Sequence, residues 1–261
     1  MSSSRLGPVV AVDVGNSRVK LGLFTTVDGQ PLPLPAHTLD IGPDAGELDR
    51  IGPWLSPCDV TSSDWWIGSV QREVAGRLVG WLRGHGAKRI TMIASGDLPL
   101  TVSLPRPDRV GIDRLLAAVA ANRLRAAVEP VIVVDLGTAI TVDLVSAEGA
   151  FLGGAILPGI ATSARAMHEF TDLLPLVEMW KLGEPPPPLG TATAEAMKAG
   201  LYWGAVGGVR ELVARLSAGL DSRPRLFLTG GAAPSVARLL ADNAEYVPHL
   251  TLSGIALAAA Q

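Results

Sequence analysis

Val9-Val-Ala-Val-Asp13-Val-Gly15-Asn-Ser17 is a β-branched run that ends in Asp-x-Gly and small polar residues. The same order returns in Val131-Ile-Val-Val-Asp135-Leu-Gly137-Thr138-Ala139. Valine and isoleucine runs suit buried strands. A glycine just past the strand lets the backbone turn tightly and approach a ligand. Small hydroxyl and amide side chains beside exposed backbone N–H groups make a pocket for anions. A carboxylate next to such a pocket repels an anion unless a cation lies between them. One copy alone reads more simply as a strand end with a turn aspartate. The repeat at matching offsets favours the functional reading, as a two-copy duplication rather than a solenoid. Two related half-domains facing one metal–phosphate ligand are therefore expected.

Working outward, residues 9–24 read as a hairpin with a polar Gly-Asn-Ser tip. Residues 25–64, rich in proline and glycine, carry no clear assignment. A strand end at 65–69, a helix at 74–83 stopped by Gly84, and a strand at 89–94 follow. That order predicts a mixed α/β sheet with crossover helices. Gly111-Ile112-Asp113-Arg114 opens a helix over 115–127. The second half repeats the plan, with strands at 131–135, 141–145 and 151–157 and a helix at 161–170. The proline run 185–188 reads as surface loop or extended spacer. Helices at 194–204 and 209–216 read as one element hinged at Gly207-Gly208. A strand at 225–229 ends in Gly230-Gly231, and a helix at 253–259 comes last. Two lobes are expected, 1–127 and 128–261.

Composition narrows the function classes. With 48% hydrophobic and 18% charged residues, the chain is globular rather than disordered. No apolar run reaches the ~18 residues that span a bilayer, so no membrane partner is expected. The net charge is −3 with no basic run, which gives nucleic acid no footprint. Cys58 is the single cysteine and has no internal disulfide partner. No Cys/His cluster offers a zinc site. Of the scattered histidines, only His168 lies near an informative segment. Met1-Ser-Ser-Ser-Arg5 lacks the apolar core of a signal peptide, so a cytoplasmic location is expected. There is no P-loop and no Gly-x-Gly-x-x-Gly after the first strand.

Phosphoryl transfer asks mainly for positioning and charge neutralisation, and its parts are recognisable here. Asp13 and Asp135 are candidate cation holders, since hard cations take oxygen ligands. Gly15, Asn16, Ser17, Gly137 and Thr138 offer donors to phosphate oxygens. Lys20 either adds positive charge there or points outward from its hairpin. Gly230 and Gly231 let backbone lie flat against a nucleobase or ribose. Two roles are open to Asp113. It is an acid stabilising a helix N-terminus, or a general base facing an acceptor hydroxyl.

Several motifs in order carry a resemblance. They are Asp13-Val14-Gly15-Asn16-Ser17-Arg18-Val19-Lys20, Gly111-Ile112-Asp113-Arg114 and Asp135-Leu-Gly-Thr-Ala-Ile-Thr141. Gly153-Gly-Ala-Ile-Leu-Pro-Gly159, Thr171-Asp-Leu-Leu-Pro175 and Thr193-Ala-Glu-Ala-Met197 follow, then Leu228-Thr-Gly-Gly231 and Leu250-Thr-Leu-Ser-Gly254. Over residues 9–257 the chain resembles the type III pantothenate kinases, of the actin-like ATPase superfamily. That resemblance implies two ribonuclease H-like lobes and ATP-dependent phosphorylation of pantothenate, the first step toward coenzyme A. It implies ATP contacts from residues 13–20 and Thr138. Gly111, Ile112, Asp113 and Arg114 would hold pantothenate, with Asp113 as proton acceptor. Asp135 would hold a monovalent cation, K⁺ or NH₄⁺, and Mg²⁺ would accompany ATP with Asp13 nearby. Thr193 would reach pantothenate across a homodimer interface. One departure is Leu104, where many members carry a tyrosine. The alternatives are a non-catalytic relative of the same fold and a kinase for another small alcohol.

Overall fold

The computed structural model describes residues 8–25, 32–179, 184–240 and 244–261. The Met1 to Arg5 lead-in and residues 26–31 of the unassigned segment lie outside these. The chain divides into two compact units, residues 1–124 with 249–261, and residues 125–248.

In the first unit, β1 (Val9–Val14) pairs antiparallel with β2 (Val19–Phe24), and β2 with β3 (His37–Ile41). On its other side β1 pairs parallel with β4 (Asp64–Ser69), and β4 with β5 (Arg89–Met92). The strand order is β3-β2-β1-β4-β5. Helices α1 (Ile51–Leu55), α2 (Arg72–Gly84) and α3 (Ile112–Leu124) belong to this unit. Alternation along the strands decides which helix covers which face. Val10, Val12, Val14, Leu21 and Leu23 pack with Trp65 and Ile67 against Ile51 and Leu55 of α1 and Val74, Leu78 and Leu82 of α2. Each such side chain contributes about 1.5–3 kcal/mol on burial. Helix α2 starts sharply because the Gln71 side chain accepts from the Glu73 and Val74 N–H groups, at 2.9 and 3.3 Å.

The second unit repeats this topology. Strand β6 (Val131–Leu136) pairs antiparallel with β7 (Ala139–Val145), and β7 with β8 (Phe151–Pro158). It pairs parallel with β9 (Arg225–Thr229), and β9 with β10 (Ala244–Tyr246). The order β8-β7-β6-β9-β10 matches the first sheet strand for strand. Helices α4 (Ile160–Glu169), α5 (Thr193–Ser217) and α6 (Ala233–Leu240) lie in this unit. Ile132, Val134 and Leu136 pack with Ile160, Tyr202, Val206, Val209 and Val236. The expected two-lobed α/β fold with mixed sheets and crossover helices is thus what the chain adopts.

Several boundaries differ from the sequence reading. The last helix, α7 (Leu250–Ala259), packs against α3 and β1 in the first unit rather than staying with residues 128–248. Its residues Leu250 to Ala256 are all buried, as expected of a helix that is apolar all round. Gly254 lets it in: a Cβ there would strike the Leu116 carbonyl of α3. Helix α5 runs unbroken through Gly207-Gly208, without the expected hinge. Helix α3 begins at Ile112, so Asp113 lies inside its first turn. Strand β3 and helix α1 emerge from the unassigned segment, and α6 and β10 were not anticipated.

Candidate functional site

Asp13 is the last but one residue of β1. It stands in register between Lys20 of β2 and Gly68 of β4, and Lys20 stands opposite Asp40 of β3. Gly68, Asp13, Lys20 and Asp40 thus form a row across the sheet. Their parity puts the row on the face covered by α3 and α7. The tip beyond β1 closes with the Gly15 N–H donating to the Arg18 carbonyl at 3.0 Å. Asn16, Ser17 and Arg18 are exposed, while Val14 and Val19 are buried strand ends. Arg18 Nη1 donates to Asp40 Oδ2 at 3.1 Å.

The N-terminus of α3 arrives at the same end of this sheet. A Cβ on Gly68 would lie 3.8 Å from Ile112 Cγ2, and one on Gly111 would lie 3.8 Å from Val70 Cγ1. Asp113 Oδ1 accepts from the Arg114 N–H at 2.9 Å. The carboxylate folds back over Gly111, where a Cβ would come within 2.5 Å of Oδ1. Helix α7 is preceded by its N-cap His249, whose φ is 58°. Desolvation of its imidazole, then the charge of Lys20, lowers its pKa below the usual histidine value. Two helix N-termini, with positive dipole ends, therefore open toward the end of the sheet that carries Asp13 and Lys20. That arrangement favours an anion.

Asp135 holds the equivalent place in the second unit, between Thr141 of β7 and Thr229 of β9. Here the corner is tighter. Gly230 has φ +94°, and a Cβ there would overlap both Asp135 Oδ1 and the Leu136 carbonyl. The Ala232 N–H donates to that carbonyl at 3.1 Å, folding Gly230-Gly231 over the strand end. The tip beyond β6 is a short turn in which the Gly137 N–H donates to the Ala139 carbonyl at 3.0 Å. Thr138 is exposed on it. Its carbonyl accepts from the Gly159 N–H at 3.0 Å and from Thr162 Oγ1 at 2.7 Å. The donors around Asp135 are oxygens, which suits a hard cation. Among the described residues no group of three or more His, Cys, Asp or Glu side chains surrounds a point. A cation here would thus need oxygens beyond carboxylates, from backbone, ligand or water.

Thr193 is the exposed first residue of α5, on a different element from the Asp135 corner. Nearby, Glu195 accepts from the Thr191 N–H at 2.9 Å and Thr191 Oγ1 at 2.8 Å. These bonds hold its carboxyl below the usual glutamate range. His168 donates from Nδ1 to the Leu174 carbonyl at 2.8 Å, and Cys58 packs on the first core. Sequence reasoning missed Gly68, Asp40, Gly159 and Thr162 as parts of these corners. Gly159 ends the Gly153 to Gly159 motif, to which no role was attached, and Asp40 lies in the unassigned segment.

Two sheets of one topology, each ending in an Asp-x-Gly corner, define the class as an actin-like ATPase fold. Two solved structures agree at the level of fold. A Baf-family protein from Campylobacter jejuni superposes with TM-score 0.58 at 20% identity, covering 96% of both chains. The activator of 2-hydroxyisocaproyl-CoA dehydratase from Clostridium difficile, with bound ADPNP, gives TM-score 0.53 at 13% identity, covering 97% of this chain and 94% of that one. Residues 9–215 match the family model of type III pantothenate kinase. The type III pantothenate kinase of Acidiphilium cryptum is 39% identical, over 96% of this chain and 93% of that protein. The chain belongs to the type III pantothenate kinase family, and it is an ATP-using kinase.

Proposed function

We propose that the chain transfers the γ-phosphoryl group of ATP to the primary hydroxyl of pantothenate, giving 4′-phosphopantothenate for coenzyme A synthesis. Family membership supports the reaction. The observation that carries the site is the placement of Asp113, in the first turn of α3, at the same end of the sheet as Asp13 and Lys20. In the transfer, the pantothenate hydroxyl oxygen bonds to the γ-phosphorus. The bond to the β–γ bridging oxygen breaks, and ADP leaves. The hydroxyl proton passes to the Asp113 carboxylate, which suits a base receiving a proton as the nucleophile attacks. Gly111, Ile112, Asp113 and Arg114 orient pantothenate. Residues 13–20, Thr138, Gly230 and Gly231 orient ATP.

Mg²⁺, bound by phosphate oxygens and water with Asp13 nearby, would neutralise charge building on the phosphates. Asp135 would hold K⁺ or NH₄⁺ through its carboxylate. The oxygens of Asp135 and Leu136 that close on Gly230 fit such a role.

A homodimer is part of this proposal. Phe170, Leu173 and Leu189 are 80%, 86% and 79% exposed on the second unit, apolar side chains that a second copy would cover. Thr193 would complete the pantothenate pocket of the neighbouring subunit. A cytoplasmic location is proposed as well, and no described helix is long and apolar enough to cross a membrane. The direct test couples ADP release to pantothenate, with other small primary alcohols as controls, since Leu104 replaces a common tyrosine. ADP release indifferent to pantothenate would overturn the proposal.

A further inference from the structure

We propose that Thr162 is a positioning residue for ATP, acting by holding the Gly137-Thr138 tip in one conformation. The inference rests on the reading that Thr138 contacts ATP. Thr162 is the third residue of α4, where a threonine ordinarily bonds within its own turn. Here Oγ1 instead reaches an element 24 positions away in sequence and donates to the Thr138 carbonyl at 2.7 Å. The hairpin bond at this tip uses the Gly137 N–H and the Ala139 carbonyl, which leaves the Thr138 carbonyl to be satisfied from outside. The Gly159 N–H and Thr162 Oγ1 supply both donors it can accept. The approach is close, because a Cβ on Gly159 would strike the carbonyls of both Gly137 and Thr138. The N-terminus of α4 therefore clamps the tip.

The first tip is built differently. It spans Gly15 to Arg18, closes through its own Gly15 to Arg18 bond, and is tethered by the exposed Arg18–Asp40 pair. Exposed pairs of that kind hold weakly. The second tip is thus fixed by neighbouring structure. A preformed tip lowers the ordering cost of binding, so loosening it weakens ATP specifically.

The test compares Thr162→Val, Thr162→Ser and Thr138→Ala by titration with ATP and with pantothenate and by steady-state kinetics. Valine keeps the shape and removes the donor; serine keeps the donor. Thr162→Val should raise the Kd and KM for ATP about three- to tenfold, the worth of one hydrogen bond. The pantothenate constants should stay within about twofold, and Thr162→Ser should restore ATP binding. An unchanged ATP constant in Thr162→Val would overturn the inference. So would an equal loss of both substrates, or failure of serine to rescue. Thr138→Ala separates the two layers. If it leaves ATP binding intact, the ATP role of Thr138 fails. If it weakens ATP while Thr162→Val does not, only the clamp fails.

Discussion

Replacing Gly230 with alanine should disable the second corner, and the size of the effect follows from two local facts. Gly230 has φ +94°. A side chain in that region costs about 1–3 kcal/mol of backbone strain. The added Cβ would also overlap Asp135 Oδ1 and the Leu136 carbonyl. The carbonyl is backbone held by the Ala232 N–H, so it does not yield freely. Overpacking of this kind costs about 1–3 kcal/mol. Together these destabilise the second unit by about 2–6 kcal/mol, a large share of the ~5–15 kcal/mol that holds a typical domain. The neighbouring Gly231→Ala serves as control, because a Cβ there meets nothing within 4 Å. Exposed substitutions of that sort stay within about 0.5 kcal/mol. At roughly 3 °C per kcal/mol, Gly230→Ala should lose about 6–18 °C in Tm while Gly231→Ala stays near wild type. Thermal unfolding of both variants provides the measurement. Equal Tm values would refute the reasoning that Gly230 is required by the Asp135 carboxylate.

Asp113→Asn should keep the fold and ATP binding but lower kcat by about 10²–10⁴, the usual worth of a positioned base; turnover within a few-fold of wild type would remove the assignment. Activity should rise with K⁺ or NH₄⁺ and respond poorly to Na⁺, and equal rates in sodium-only and potassium buffers would argue against Asp135 as a monovalent site. The lowered pKa of His249 makes the native state the weaker proton binder. Its stability contribution is therefore full above the unfolded-state value of about 6.5 and is lost as pH falls through the folded-state pKa. His249→Asn, which tolerates the left-handed conformation, should flatten the stability profile between about pH 7 and 5; denaturant unfolding at several pH values checks this, and identical slopes would refute it.

The two Asp-x-Gly corners were legible because their signals are local. A β-branched run, a carboxylate and a glycine within a few residues specify a strand and its turn without reference to distant chain. Their repetition also announced the duplicated sheet. The opening of α3 was legible for the same reason, with Gly111 and Asp113 two positions apart in sequence. Asp40 and Thr162 gave no such sign. Asp40 matters only because β3 sets it opposite Lys20, and Thr162 only because α4 begins against the Gly137-Thr138 tip.

The last helix shows the division most clearly. The sequence predicts a helix over 253–259, and its apolar composition suits the burial the structure shows. Which unit buries it depends on close approach between residues far apart in the chain, Gly254 against Leu116. Hydrophobic patterning is non-directional and names no partner, whereas backbone-to-backbone fit does. The sequence by itself therefore determined the two strands, their carboxylates and the helix-forming segments. The tertiary structure alone decided which helix closes which sheet, and which neighbours hold the two tips.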